Sequence, residues 1–438
     1  MSSEFVKSLE DNLKSGIEKL KDNVITHEGA LSEPSRPRSD PANQVKSLRH
    51  FCDGLIYISE GHFGRVFTYP LQTYVFKVVK NLESGEKLRE EFKYYEQGHS
   101  VISKLPVSKS RFYIPRAYNF RPPSPLSGRI GTGNEAEKGT LKQRKPESMW
   151  PDLINPMMAI ELIPSLHPVI GEAYQGLFWS KELQEAQSQT QRRSQSQGNE
   201  LEPRGNNIRL LRLYFGREDI PSKTEYLHPG IKSDPPLDIS RYTLLSDHLK
   251  ENYDLILPSI KEVCKGMGEV LALLHWKVGI NCRDIELVLG GSNTRPHDVA
   301  LYAMDFNQCA RWIKPNALKE INDHCLSGVL QSDSHDVELP AGLTIDDYSH
   351  NSLLEGSRRL AKLIYGQELY YPRPHQTVPD DHFKASYRIT VEEVLAEFSA
   401  LSVQLQEAIR DAARAFFYEY ERLDKEKMDR KHHLGRLM

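Results

Sequence analysis

The stretch TYVFKVVK places Lys77 at the centre of a run of β-branched and aromatic residues. Such a run predicts a buried strand, and a charged ammonium inside it is costly unless a carboxylate lies against it. Residues 86–104 then have a helical pattern and offer three acids, of which we favour Glu91 over Glu90 and Glu96 as the partner. The chain must therefore pack this helix against the strand of Lys77, unless that strand lies at a sheet edge and the lysine faces water.

The strand of Lys77 is the third of three short apolar runs, IYISE, GRVFTY and TYVFKVVK. Their breaks at EGHFG and PLQ predict an antiparallel meander. The first break contains Gly61 and Gly64. Backbone N–H groups of a tight glycine turn can hold phosphate oxygens because no side chain blocks the approach, and a nearby lysine adds a point charge. Ser59 stands where a G-x-G-x-x-G pattern has its first glycine, so an ordinary hairpin remains the alternative.

A second group of candidate residues lies downstream of a predicted helix at residues 258–276. Two apolar stretches, DIELVLGG and VALYAMDF, predict paired strands around a turn at SNTRPHD. Asp284 precedes the first strand and Asp305 ends the second. Two carboxylates at strand ends can hold Mg²⁺ and orient a hydroxyl nucleophile, whereas a single aspartate there is more commonly a turn residue.

The order of predicted elements is strands, one helix, strands and then helices, which indicates an α+β protein with a β-rich N-terminal lobe and a mainly helical C-terminal lobe. The C-terminal third is mostly helical in pattern and ends in a long, charged amphipathic segment at residues 391–430. The expected organisation is an amphipathic helix at 1–27, a linker at 28–50, the first lobe at 51–165 with a disordered insertion at 121–150, and the second lobe at 166–438 with a low-complexity insertion at 182–207.

Charge and cysteine content exclude several functional classes. A net charge of −3 lacks the basic excess of a dedicated nucleic-acid binder, and we interpret the basic C-terminal tail as a solvated helix end. The five cysteines form no C-x-x-C pair, so we expect no structural zinc and a reducing, intracellular location, cytoplasmic or nuclear. No signal-peptide core or bilayer-spanning apolar run is visible, so we expect no membrane association.

Taken in chain order, these features resemble the protein-kinase-like superfamily. The series is a glycine loop, a strand lysine, a helix glutamate, an apolar strand with Glu161, a helix ending in LLHW, an Arg-Asp pair and an Asp-Phe pair. More narrowly, LRLYFG, DIELVLGG and MDFNQC resemble a fungal family of uncharacterised kinase-like proteins that are often labelled zinc-finger proteins. The resemblance covers about residues 55–310 and implies a two-lobed fold with ATP and Mg²⁺ in the cleft between the lobes.

In the N-terminal lobe, the resemblance implies that the loop from Ser59 to Gly64 holds phosphates and that Lys77 assists it. It also implies that Val66 packs on adenine and that Met158–Ile163 is a hinge that offers backbone groups to adenine. The implied cofactor-binding residues are Ser59, Gly61, Gly64, Val66, Lys77, Glu91, Glu161 and Ile163.

In the C-terminal lobe, the resemblance implies that Asp284, preceded by Arg283, is the catalytic aspartate and that Asp305 is the magnesium ligand. The motif departs from the kinase pattern here. The histidine before the arginine is Cys282, and the metal-binding asparagine is replaced by Leu289.

Matching ELVL to the kinase E-N-I-L instead puts the asparagine position at Leu287 and the aspartate position at Cys282. The first alignment keeps the catalytic base and the second loses it, and neither supplies a second metal ligand.

Three functions follow from these alternatives. The favoured one is a pseudokinase that binds nucleotide and acts through an unidentified protein partner. The second is an active, atypical ATP- and Mg²⁺-dependent phosphotransferase. The third is a kinase-like scaffold without nucleotide, whose cleft is filled by Phe63 or by the strand at 157–163. The sequence leaves open whether the protein is an enzyme.

Overall fold

The computed structural model describes residues 55–105, 112–122, 155–182, 184–185, 208–217, 235–293, 298–313, 349–398 and 400–435. All of them belong to one compact unit that starts at Gly54. The predicted N-terminal helix and linker lie outside the described residues, as does nearly all of the two predicted insertions at 121–150 and 182–207.

The described residues form ten strands and seven α-helices. The strands are β1 (Ile56–Glu60), β2 (Gly64–Thr68), β3 (Tyr74–Val79), β4 (Phe112–Tyr113), β5 (Ala117–Arg121), β6 (Met157–Glu161), β7 (Leu211–Leu213), β8 (Pro236–Leu237), β9 (Glu286–Gly291) and β10 (Val299–Met304). The helices are α1 (Gly85–Ile102), α2 (Pro168–Phe178), α3 (Ile239–Tyr253), α4 (Ile260–Leu273), α5 (His350–Gln367), α6 (Thr377–Glu397) and α7 (Val403–Gly435).

The first sheet is antiparallel, in the order β1-β2-β3-β6-β5. The predicted three-strand meander is therefore confirmed. Because β3 is paired on both sides, Lys77 lies on an interior strand, and the alternative of an edge-strand lysine facing water is wrong. Its cross-strand neighbours are Val66 on β2 and Met158 on β6. Directly opposed residues of a sheet share a face, so these three side chains lie on the same side of it.

The second sheet has the order β4-β10-β9-β7-β8. Its β9–β10 hairpin confirms the predicted strand pair. The strands β4, β7 and β8 were not predicted, because two or three residues are too few to show a strand period. The second sheet lies largely within the part of the chain that the sequence analysis describes as mainly helical.

In the C-terminal part α4 packs against α6, and α5 packs against α7. Helix α4 begins with a capping box formed by Ser259 and Glu262. The predicted single amphipathic segment at 391–430 is wrong, since α6 ends at Glu397 and α7 begins at Val403. The chain stops and restarts there because the Ser402 hydroxyl accepts a hydrogen bond from the Leu405 N–H at 3.2 Å and so caps a new helix. The protein is thus a mixed α/β fold with a sheet in its N-terminal part and helices in its C-terminal part.

None of the helices in the described ranges is both long and apolar enough to cross a lipid bilayer.

The two glycines of the first hairpin differ in what surrounds them. A Cβ on Gly64 would lie 2.6 Å from the Val78 carbonyl oxygen, whereas a Cβ on Gly61 would meet nothing within 4 Å. We expect Gly64→Ala to lower the free energy of unfolding by about 1–3 kcal/mol, because β2 would have to move away from β3. Gly61→Ala should change it by less than about 0.5 kcal/mol. Urea denaturation of both variants measures the difference, and equal stability of the two would contradict this account.

Candidate functional site

Lys77 is the centre of a buried three-residue charge cluster. Its Nζ donates one hydrogen bond to Glu91 Oε1 and another to Asp305 Oδ1, both at 2.6 Å. Lys77 is 8% exposed and Glu91 is 0% exposed, while the Asp305 side chain is 26% exposed. Only the Asp305 end of the cluster therefore reaches solvent.

The position of Glu91 on α1 explains why it is the partner. The buried residues of α1 recur at helical spacing and include Leu88, Glu91, Tyr95 and Ile102. Glu91 thus lies in the apolar stripe that faces the sheet. Of the two alternatives, Glu90 pairs with Lys93 and Glu96 is exposed.

Tyr95, one turn after Glu91, is a site residue that the sequence analysis missed. Its hydroxyl accepts a hydrogen bond from the backbone N–H of Asp305 at 2.8 Å. Its ring makes an edge-to-face contact with the buried Phe306, with 4.8 Å between ring centroids. The spacing of four between Glu91 and Tyr95 was the available signal, since such residues share a helix face. One helix therefore contacts the Lys77 side chain and the Asp305 backbone together.

The electrostatics of the cluster follow from one cation shared by two carboxylates. Burial raises the pKa of Glu91 to about 7, even though the Lys77 charge acts in the opposite direction. Burial alone would lower the pKa of Lys77, but the charges of Asp305 and Glu91 hold it above its ordinary value. Burial likewise opposes ionisation of Asp305, yet Lys77 keeps the pKa of that carboxyl below its usual range. Asp305 is therefore the anionic partner of Lys77 at neutral pH.

The glycine hairpin folds towards this cluster. The Gly61 N–H donates to the Gly64 carbonyl at 2.9 Å, which closes the turn between β1 and β2. The ring of Phe63, inside the turn, lies 5.3 Å from Lys77 Nζ and 5.4 Å from Lys87 Nζ. Such distances are typical of cation–π contacts. Gly61 is exposed although its N–H is engaged in the turn, while Gly64 is explained by close packing on β3.

The other N-terminal candidates lie around the same sheet. Ser59 pairs with Val66 across β1 and β2, and Val66 is half-buried beside Lys77. The Glu161 carboxylate accepts hydrogen bonds from the Arg116 N–H at 3.1 Å and from the Asn293 side-chain amide at 3.2 Å.

The predicted hinge, Met158–Ile163, is mostly strand. Met158 to Glu161 belong to β6, which pairs with β3 and β5. Backbone groups engaged in a ladder are not free to bind a ligand, so a hinge can begin only where β6 ends. Ile163, just beyond that end, packs against β9, where its Cγ2 lies 2.7 Å from the position that a Cβ on Gly290 would take.

Asp284 lies in a tightly held turn before β9. Its backbone has a left-handed conformation, with φ of 58°, and its N–H donates to the buried Glu368 carboxylate at 2.7 Å. The Gln308 side chain donates to its carboxylate. Burial and then the Asp305 charge raise the pKa of Asp284. The neighbouring Arg283 is exposed, and its N–H donates to the Asn281 side-chain oxygen at 3.2 Å.

The β9–β10 register bears on the two alignments of this loop. Met304 pairs with Glu286, so Asp305 and Asp284 flank the same end of the hairpin. Leu287 and Leu289 are both fully buried within β9. A leucine side chain has no atom that binds a metal ion. Neither alignment therefore places a protein ligand at the second metal-binding position. Glu286, at the strand start, forms an ion pair with Arg212 at 2.7 Å.

The donor set limits how a metal ion would bind. Within the described ranges, no group of three or more acidic, histidine or cysteine side chains has an arrangement that would hold a metal. Mg²⁺ is commonly held by one or two carboxylates together with phosphate oxygens of a nucleotide. Asp305 and Asp284 suit that mode of binding and do not suit a site made by protein groups alone.

His275 and Trp276, which follow the end of α4, are packing residues. His275 is fully buried, and burial lowers its pKa to about 3. Its Nδ1 and the Trp276 Nε1 lie 2.9 Å and 3.0 Å from the Tyr387 hydroxyl.

Comparisons with known proteins add little to this geometry. No family model matches the chain, and no curated protein matches it. Among solved structures, the kinase domain of Mycobacterium tuberculosis PknI and a double mutant of that domain are each 10% identical to the chain. Each alignment covers 84% of this chain and 96% of the other, with TM-scores of 0.24 and 0.25 respectively. Structural matches with such low sequence identity and TM-scores establish neither the fold nor the function of this chain. Membership of the fungal family stays a prediction.

The raised pKa of Glu91 predicts a pH dependence of stability. A carboxyl whose pKa is about 7 when folded and 4.5 when unfolded binds its proton more tightly in the folded state. Its contribution is therefore fully present below pH 4.5 and is lost as pH rises towards 7, by up to about 1.4 kcal/mol per pH unit. We expect the free energy of unfolding of the wild type, relative to Glu91→Gln, to fall between pH 5 and pH 7 and then level off.

Urea denaturation at pH 5, 6, 7 and 8 measures this difference. Glu96→Gln, an exposed substitution on the same helix, is the matched control and should track the wild type. A constant difference between the wild type and Glu91→Gln across this pH range would overturn the assignment.

Proposed function

We propose that the protein has a kinase-like fold and binds a nucleotide in the cleft next to Lys77, acting as a pseudokinase through a protein partner. The single observation that carries this proposal is the buried Lys77 between Glu91 and Asp305, with both distances at 2.6 Å. A charge cluster on an interior strand costs stability relative to apolar packing, so its presence favours a binding role.

The arrangement of the cluster suits a polyphosphate. Lys77 offers a point charge, Asp305 offers a half-buried carboxylate for a phosphate-bound Mg²⁺, and the hairpin of Gly61 lies on the same side. Val66, half-buried and on the same face of the sheet as Lys77, supplies an apolar contact for a base. These features support ATP with Mg²⁺ as the ligand.

Phosphoryl transfer is less well supported than binding. Asp284 is the one candidate base, and its carboxylate already accepts a hydrogen bond from Gln308. Leu287 and Leu289 provide no second metal ligand. These contacts therefore favour a cleft that binds nucleotide without turnover over the active site of a phosphotransferase.

One observation favours the scaffold without nucleotide as a second candidate. The Phe63 ring lies over the ammonium of Lys77, in the region that phosphates would occupy. With hydrogen bonds to Glu91 and Asp305 as well, Lys77 has partners on three sides. A nucleotide has to displace Phe63 before its phosphates reach the lysine.

Thermal unfolding with ATP, with and without Mg²⁺, tests the proposal. A ligand that binds only the folded state, at a hundredfold excess over its Kd, stabilises it by about 2.7 kcal/mol, so we expect a Mg²⁺-dependent rise in Tm of a few degrees. Lys77→Met and Asp305→Asn should abolish the rise. Lys80→Met is the matched control, because Lys80 pairs with the exposed Glu60 and should leave the response intact.

Asp305→Asn retains an oxygen that can accept a hydrogen bond from Lys77. The test therefore remains possible with this variant if Lys77→Met fails to fold. A flat Tm with ATP and Mg²⁺ in the wild type would reject nucleotide binding and leave the scaffold. Release of phosphate or labelling of a protein by the wild type, lost in Asp284→Ala, would replace the pseudokinase with an active enzyme.

Removal of the Phe63 ring should favour nucleotide. We expect Phe63→Ala to bind ATP with Mg²⁺ severalfold more tightly than the wild type, because the variant has no ring to displace from Lys77. His62→Ala, an exposed substitution in the same turn, should bind like the wild type. Isothermal titration calorimetry measures both affinities. Weaker binding by Phe63→Ala would mean that the ring packs on the nucleotide instead of excluding it.

A further inference from the structure

Two cysteines lie on the two segments that bear Asp284 and Asp305. Cys282 is buried two residues before Asp284, and Cys309 is half-buried four residues after Asp305. They are 27 positions apart in sequence, and neither has a role in the proposed nucleotide cleft. The third described cysteine, Cys264, is buried within α4.

Backbone pairing brings the two segments together in antiparallel register. Ile280 forms an isolated antiparallel bridge with Arg311. The Asn281 N–H donates to the Ala310 carbonyl at 2.9 Å, and the Trp312 N–H donates to the Gly279 carbonyl at 3.0 Å. In an antiparallel pair, a step forward on one strand is a step back on the other.

The ladder stops after Asn281, because Cys282 has a left-handed backbone with φ of 53°. Cys282 follows the last paired residue of one segment and Cys309 precedes Ala310, the last paired residue of the other, so the two cysteines lie at the same end of the ladder. Neighbouring strands lie about 4.7–4.9 Å apart, and disulfides span Cα separations of about 4.4–6.8 Å, so this is a place where a disulfide can form.

Side-chain contacts support the same juxtaposition. The Cys309 thiol donates to the carbonyl oxygen of Arg283, the residue after Cys282, at 3.5 Å. The Cys282 thiol points at its own segment, donating to the Ile280 carbonyl at 3.7 Å. A rotation of the Cys282 side chain away from that carbonyl is the movement that pairing with Cys309 requires.

We propose that Cys282 and Cys309 form a reversible disulfide that links the Asp284 turn to the segment after Asp305. The proposal rests on the register and the thiol contacts, and it does not depend on nucleotide binding. The bond is a redox-sensitive modification site, because it would tie the two aspartate-bearing segments together when oxidised and release them when reduced.

The oxidant is a small-molecule disulfide of the glutathione class. The thiolate of the half-buried Cys309 attacks one sulfur of the oxidant, forming a mixed disulfide and releasing one glutathione thiolate. The Cys282 thiolate then attacks the Cys309 sulfur, forming the protein disulfide and releasing the second glutathione. Two cysteine protons leave and two glutathione thiols form, so atoms and electrons balance. Burial raises the pKa of both cysteine thiols, which makes the reaction slow and calls for incubation over hours.

The test is peptide mapping by mass spectrometry without reduction, after the full chain is incubated with oxidised glutathione. We expect one dominant cross-linked pair that contains Cys282 and Cys309, with a loss of two hydrogens, reversed by excess reduced glutathione. The same treatment in 8 M urea should give a mixture of pairings among all five cysteines, because the register is lost.

Single variants make the result specific. Cys309→Ser and Cys282→Ser should each abolish the cross-link, and Cys264→Ser should leave it unchanged. The use of both partners protects the test against a Cys282 variant that fails to fold. Native oxidation that stops at a glutathione adduct on Cys309, or that pairs Cys282 and Cys309 no more often than in urea, would overturn the proposal.

Discussion

The interaction on which the site depends is the sharing of one buried lysine by two carboxylates. Lys77 lies on an interior strand, where an unpaired ammonium would cost several kcal/mol. Glu91 meets it from the helix behind the sheet, and Asp305 meets it from the end of the second hairpin. Because both distances are 2.6 Å, the strand, the helix and the hairpin end are held by the same charge. Loss of Lys77 would leave two carboxyl groups without a cation, whereas loss of either carboxylate would leave the lysine paired with the other.

Helix α1 holds two parts of the site in position. Glu91 and Tyr95 are one turn apart, so the helix contacts the side chain of Lys77 and the backbone of Asp305 from a single face. Phe306 packs on the Tyr95 ring, which fixes the residue after Asp305 as well. A displacement of α1 would therefore separate both contacts together. The charged residues of the proposed nucleotide cleft lie together, whereas neither Leu287 nor Leu289 offers a second metal ligand near Asp284.

The glycine hairpin and the cysteine pair near the proposed cleft have different structural causes. Gly64 is required by the approach of β2 to β3, whereas Gly61 has open space around it at the turn. Cys282 and Cys309 lie at the same end of a short antiparallel ladder, Ile280 with Arg311, that joins the two aspartate-bearing segments. The proposed phosphate binding at the hairpin would require movement of Phe63, whereas the ladder joins the segments of Asp284 and Asp305.

The sequence by itself determined the strands β1 to β3, helix α1, the β9–β10 hairpin and the need of Lys77 for an acidic partner. Each of these follows either from the spacing of apolar residues along a short segment or from the cost of burying a charge. Both can be recognised from consecutive residues of the sequence. Only the tertiary structure decided that Asp305, 228 residues further along the chain, shares the lysine, that Phe63 covers it, and that the segments of Cys282 and Cys309 run side by side. The short strands β4, β7 and β8 and the break between α6 and α7 were decided there as well. The physical reason is that contacts between distant segments depend on how whole elements pack, and packing leaves no period in the local sequence.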